Sequence, residues 1–188
     1  MEMEKTALIL VDVQNDYFPN GRMELFEPNR AANNARKLLI FFRSQNIPIF
    51  HIQHIFNDPT APFFAPGTDG ITINEAVAPH EGETIIQKNY PNSFRETPLL
   101  NQLRQAGTDH VIICGMMSHM CIDATARAAV DYGFKCTVIE DACTSPELSF
   151  RGRNIQATDV HDVFMAALGS LYATIETANS FLEKAKVK

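Results

Sequence analysis

Short apolar runs alternating with stretches of helical spacing constrain this chain more than anything else in it. Thr6–Val11 (TALILV) is apolar without a break, the pattern of a strand covered on both faces. After Pro28, the residues Ala31, Ala32, Ala35, Leu38, Leu39 and Phe42 repeat at i, i+3, i+4 and predict a helix. Residues 47–52 (IPIFHI) predict a second strand and residues 84–87 (TIIQ) a third. Thr97-Pro98 then reads as a helix start, Leu99, Leu100 and Leu103 as its stripe, and Gly107 as its stop. Residues 110–114 (HVIIC) and 135–140 (KCTVIE) are the fourth and fifth strands, flanking an Ala-rich helix over 121–132 that Gly133 ends. Val160, Val163, Phe164, Ala167, Leu168 and Leu171 mark another helix with Thr158 as its cap. Residues 173–176 and 180–186 read as a sixth strand and a last helix. Strands separated by helices predict βαβ units and a parallel sheet. Residues 54–82 and 144–157 carry no such pattern and read as binding loops or lids.

Length and charge narrow the class. A chain of 188 residues is expected to form a single domain over 1–188, since one core suffices below roughly 250 residues. With 16 basic against 22 acidic side chains there is no electrostatic footprint for nucleic acid. No apolar run approaches a membrane span, and the opening MEMEKT has no leader-like apolar core. Four cysteines without a CxxC pair read as reduced thiols, and the expected location is cytoplasmic.

Reactive side chains close three of the runs. Ligands of an open parallel sheet sit beyond the carboxyl ends of its strands. Asp12 ends the first run, Lys88 the third, and Cys121 follows the fourth, where loop turns into helix. A thiol attacks only as thiolate, and a helix start and a nearby cation both favour that form. Asp12 can take the thiol proton as a general base, and backbone amides at Met117 and Cys121 can hold an oxyanion. Asp123, in the same turn, would oppose the thiolate if it faced inward. Each residue alone has a plain structural reading: a strand-end cap, a surface lysine, a core cysteine. Cys114, Cys136 and Cys143 read as core or loop thiols, Ser118 as a helix cap, and His161 as structural. Gly67 to Gly70 matches no phosphate loop.

The segments LILVDVQND (residues 8–16), Lys88 followed by Asn92-Ser93-Phe94, and GMMSHMC (residues 115–121) together resemble the isochorismatase-like cysteine hydrolases. That family includes nicotinamidases, N-carbamoylsarcosine amidohydrolase and the isochorismatases, and the likeness runs over nearly the whole chain. It implies an α/β fold of three αβα layers, Rossmann-like, with a six-stranded parallel sheet in the order 3-2-1-4-5-6. It also implies a catalytic triad of Asp12, Lys88 and Cys121 and a cis peptide at Met116–Met117. Lys88 would then start about 10 Å from Asp12, two strand spacings away. Nicotinamidases of the family bind a metal through an Asp and two His after the second strand. Here His51 and His54 stand there without an Asp-x-His pattern, and residues three apart on a strand face opposite ways. No metal and no cofactor is therefore expected, with both histidines on the surface or in a loop. Gln14, Tyr17, Phe18, Phe63, Phe64, Asn92, Phe94 and His119 are the candidates to line a mostly neutral substrate pocket. The family's habit implies a homo-oligomer, a dimer or tetramer, acting on a small-molecule substrate.

Three functions remain open on this reading. The first is hydrolysis of a small amide or carbamoyl C–N bond through a Cys121 thioester. The second is vinyl-ether hydrolysis of the isochorismatase type, which needs Asp12 as an acid and no thiol. The third is a non-catalytic protein that binds or senses through a reversible thiol.

Overall fold

The computed structural model describes Met3 and residues 5–186; Met1, Glu2 and Glu4, part of the opening read for a leader, lie outside the described residues, as do Val187 and Lys188. Strand β1 (Thr6–Val11) lies at the centre, all six residues buried. Helix α1 (Pro28–Ser44) leads to β2 (Ile49–His54), β3 (Thr84–Lys88), α2 (Leu99–Gln105) and β4 (His110–Met116). A π-helical turn over Ser118–Ile122 runs into α3 (Asp123–Asp131), followed by β5 (Lys135–Thr144). The hairpin β6 (Leu148–Phe150) and β7 (Arg153–Ile155), α4 (Ala157–Leu171), β8 (Thr174–Glu176) and α5 (Ala178–Lys186) complete the order. The six-stranded sheet is parallel and runs β3-β2-β1-β4-β5-β8, so β8 takes the place expected of a sixth strand. This is the expected αβα architecture, with helices covering both faces of a sheet whose apolar runs have no wet side. No helix among the described residues is long and apolar enough to cross a membrane.

The boundaries differ from the expected ones where the apolar pattern is silent. Strand β2 runs to His54, and β5 runs through Asp141 to Thr144 after a register shift between Ile113 and Gly115. Cys143 therefore sits in a strand, not in the loop expected for it. Gln156, not Thr158, precedes α4. The 144–157 stretch holds the β6–β7 hairpin, and 54–82 holds two 3₁₀ turns at Asp69–Ile71 and Glu75–Val77.

Two features aim the strand ends. Gly115 pairs with Val11 at φ +126°, and a Cβ there would collide with the Val11 carbonyl. Only glycine lets β4 approach β1 this closely. On the other flank Glu83, with a 13 % exposed side chain, takes hydrogen bonds from Arg43 at 2.6 and 2.8 Å and meets His51 Nε2 at 2.8 Å. That cluster ties α1 to β2 and to the start of β3. Burial pushes the Glu83 carboxyl up, but the Arg43, His80 and His51 hydrogen bonds outweigh it and hold it down to about 2.

Because its folded value is depressed, Glu83 contributes stability above the ordinary carboxylate range and loses it as pH falls toward about 2. Glu83→Gln is expected to cost about 2 kcal/mol at neutral pH. Denaturant unfolding between about pH 7 and pH 2 should show the wild type losing that advantage only below about pH 4.5.

Candidate active site

The sheet gathers all three expected reactive groups beyond its carboxyl edge. Asp12 follows β1 in the left-handed region, at φ +51°, which turns its carboxylate out of the strand direction. Such a conformation costs a non-glycine residue on the order of 1 kcal/mol and is met most often in Asp and Asn. Lys88 ends β3 and crosses β2, placing Nζ 2.6 Å from Asp12 Oδ2. Its remaining protons reach the carbonyls of Tyr90 at 3.1 Å and Pro91 at 3.2 Å. Cys121 lies in the π-helical turn after β4, which begins just past the cis Met116–Met117 peptide. The amides of Met120 and Ile122 both close on the Met117 carbonyl. Asp12, Lys88 and Cys121 are each no more than 2 % exposed.

Burial and charge set the protonation of this group. Burial alone pushes the Asp12 carboxyl up, but the Lys88 ammonium and His54 outweigh it, and Asp12 titrates below its ordinary value. Burial pushes the Lys88 amine down, and the Asp12 charge more than reverses that, so it stays protonated. The Cys121 thiol is driven well up, first by burial and then by Asp12, with Lys88 opposing. The expectation that a helix start and a cation would lower this thiol is corrected: Cys121 is the fourth residue of its turn, and desolvation dominates. Asp123 is not the cause, since its carboxylate is held by Arg127 at 2.9 Å. The resting site is thus an ion pair beside a neutral thiol.

His54 is the residue the sequence reading missed. It is 3 % exposed, not on the surface, with Nδ1 3.4 Å from Lys88 Nζ, 3.8 Å from Asp12 Oδ2 and 3.9 Å from Cys121 Sγ. Any side chain closing β2 on this face must lie between Asp12 and Lys88 in a 3-2-1-4 sheet, so topology held the clue. His51 faces the other way, onto Glu83, as three-residue spacing requires. The Asp-plus-two-His metal set of the nicotinamidases therefore does not fit here. Asp12, His54 and Cys121 do bring ligand atoms within 4.8 Å of one another, with the Lys88 ammonium already among them.

The expected lining residues divide. Phe63 and Phe64 join Tyr17, Phe56 and His54 in one aromatic cluster, with Tyr17–Phe64 centroids at 4.6 Å and His54–Phe56 at 4.6 Å. Gln14 instead spends its amide on the backbone, donating to the His54 and Ile71 carbonyls and accepting from the His54 N–H at 2.7 Å. It positions His54. Asn92 accepts the Phe94 N–H in its own turn, and Phe94 packs on Tyr132 and Phe134 at the far end of α3. Phe18 lines a separate surface cavity with Pro19 and Asn74. His119 meets Ser145 Oγ at 3.1 Å, holding the turn to the loop after β5. Ser118 shares a 2.8 Å hydrogen bond with His161 of α4 in place of the expected cap.

Known proteins carry the same frame. The isochorismatase domain family matches residues 6–180. The isochorismatase family protein YddQ of Bacillus subtilis is 51 % identical over 178 residues, covering 95 % of this chain and 99 % of the relative. Maleamate amidohydrolase of Pseudomonas putida is 26 % identical over 195 residues, covering 96 % of this chain and 86 % of the relative. A crystal structure described as an isochorismatase hydrolase from Oleispira antarctica superposes with a TM-score of 0.93 at 42 % identity, covering 97 % of this chain and 98 % of the other. The chain belongs to the isochorismatase family and is a hydrolase.

Removing Lys88 should reverse the pH dependence of stability. Asp12 now contributes stability that is present above the ordinary carboxylate range and lost as pH falls. In Lys88→Met the largest influence opposing burial is gone and only His54 still acts against it, so the Asp12 value rises and stability is gained as pH falls. A loss of about 3 kcal/mol at neutral pH, partly recovered on acidification, is the expected result of an unfolding series.

Proposed function

We propose that this hydrolase cleaves a small amide or carbamoyl C–N bond through a Cys121 thioester, using Asp12 and Lys88 and no metal. The observation that carries this is the fully buried Asp12–Lys88 pair beside a protonated thiol. A carboxylate ionised at rest is a base, and a neutral thiol next to it is a nucleophile waiting for one. The thiol proton passes to Asp12 as sulfur attacks the carbonyl carbon, and backbone amides at Met117 and Cys121 hold the oxyanion. Asp12 then delivers the proton to the leaving nitrogen, the C–N bond breaks, and ammonia or an amine departs. Water attacks the thioester, Asp12 again takes a proton, and the acid product leaves as the thiol reforms. Lys88 keeps Asp12 ionised and in place throughout.

The same features weigh against the rivals. Vinyl-ether hydrolysis needs Asp12 as a resting acid, whereas Lys88 favours its ionised form. A sensing thiol is exposed and acidic, whereas Cys121 is 2 % exposed with its titration driven up. The maleamate relative is an amidohydrolase by name, which agrees with the C–N reading.

Ammonia release from a panel of small primary amides and carbamoyl compounds tests it. Cys121→Ala should lose about 10³-fold or more of the rate, and a chelator should change nothing. Acid-quenched wild type should carry the acyl mass that Cys121→Ala lacks. Undiminished turnover in Cys121→Ala sinks the scheme, and pyruvate release that survives the substitution would favour the vinyl-ether reaction.

A further inference from the structure

Among the described residues three buried polar atoms at this site have no hydrogen-bond partner, and with Asp12 Oδ2 taken by the Lys88 ion pair two stay unmet: Asp12 Oδ1 and His54 Nε2. Both belong to residues no more than 3 % exposed. Native interiors carry few such atoms, and each calls for a cause.

The tautomer of His54 follows from its neighbours. The groups within hydrogen-bond reach of Nδ1 are donors: the Lys88 ammonium at 3.4 Å and the Cys121 thiol at 3.9 Å. The Asp12 oxygen nearest to it is 3.8 Å away, too far to accept from it. With an ammonium facing it, Nδ1 presents its lone pair, and Nε2 carries the hydrogen. Around the ring stand Phe56 and Phe64, at centroid distances of 4.6 and 5.8 Å, which offer that hydrogen no acceptor. Gln14 clamps the His54 backbone on both sides, through its N–H and its carbonyl, so the ring is held where it is.

Asp12 Oδ1 thus awaits a donor, and His54 Nε2 awaits an acceptor. A ligand that satisfies both brings an N–H and an oxygen together. We propose that His54 is a substrate-binding residue whose Nε2–H donates to a second oxygen on the acyl side of the substrate. The substrate class becomes small amides that carry a further carbonyl-type acceptor beside the scissile one. This rests on the cysteine-hydrolase reading, in which the scissile nitrogen faces Asp12 and its carbonyl oxygen faces the nucleophile's turn after β4. In the sheet order β2 lies across β1 from that turn, so an oxygen at His54 belongs to the other end of the acyl group.

Calorimetric titration of Cys121→Ala with 4-oxopentanamide and with pentanamide tests the idea, since the two differ by one ketone oxygen and neither needs to turn over. The ketone should tighten binding about tenfold. Adding His54→Phe, which keeps a ring and removes the donor, should erase that difference. Adding His54→Gln, whose amide reaches the Nε2 position, should retain most of it. Should the Phe variant not fold, His54→Asn, which reaches only to Nδ1, makes the same comparison. Equal binding of the two amides, or a difference unchanged by loss of the donor, overturns the proposal. Heat of hydrolysis in Cys121→Ala would instead overturn the thioester reading, while the His54 comparison would still be read from the affinities.

Discussion

Everything at the sheet edge depends on one ion pair, between Lys88 and Asp12, joined across an intervening strand. Moving either charge out of water costs several kcal/mol, and only close geometry with further hydrogen bonds offsets it. The 2.6 Å contact, the Tyr90 and Pro91 carbonyls and His54 Nδ1 surround the ammonium and share its protons. That arrangement requires β1, β2 and β3 in fixed register, with His54 opposite Lys88 and Val11 opposite Ile52. It also requires a left-handed Asp12 and a glycine at 115. The strain at these two positions is local, whereas the pair they serve would be lost by a shift of one residue in any of the three strands.

Much of this was legible in the residues themselves. Parallel strands buried on both faces read as unbroken apolar runs, so TALILV and HVIIC announced themselves, and the polar residues closing such runs stood out against them. Charged groups fully inside a domain are rare without a partner, which is why Asp12 and Lys88 stand out once the topology brings them together. Hidden from that logic were elements whose pattern is polar. The end of β5, from Asp141 on, and the Arg151–Gly152 hairpin tip carry no apolar period, so backbone pairing alone defines them.

The loops show a second reason. Gln14 and Asn92 look like ligand-facing residues because they are polar and lie near the triad motifs, as does their neighbour Asp16. In the fold they serve the backbone: Asp16 accepts from the Phe64 N–H at 2.6 Å and from Arg22, much as Gln14 accepts from His54. A buried amide or carboxylate satisfying loop backbone and one awaiting a substrate have the same composition, and only the partner list separates them. His54 failed in the opposite direction. Its spacing from His51 argues against a metal shared by the pair, but opposite faces of a strand covered on both sides also mean that each histidine is buried in a different neighbourhood, not left on the surface.

The electrostatics of the site carry one last step. Asp12 and Lys88 cancel, and Cys121 is neutral, so these three groups together carry no net charge. A thiol in that state is a poor target for adventitious oxidants and alkylating agents, whose attack needs thiolate and access. Under the proposed mechanism it becomes nucleophilic only when a carbonyl carbon and an oxyanion site are already in place, because the negative charge leaving Asp12's neighbourhood must arrive somewhere better stabilised. Substrate occupancy and activation are then one event. The unpartnered His54 and Asp12 atoms fit the same logic: a ligand that meets both is held against the ion pair on which thiol activation rests.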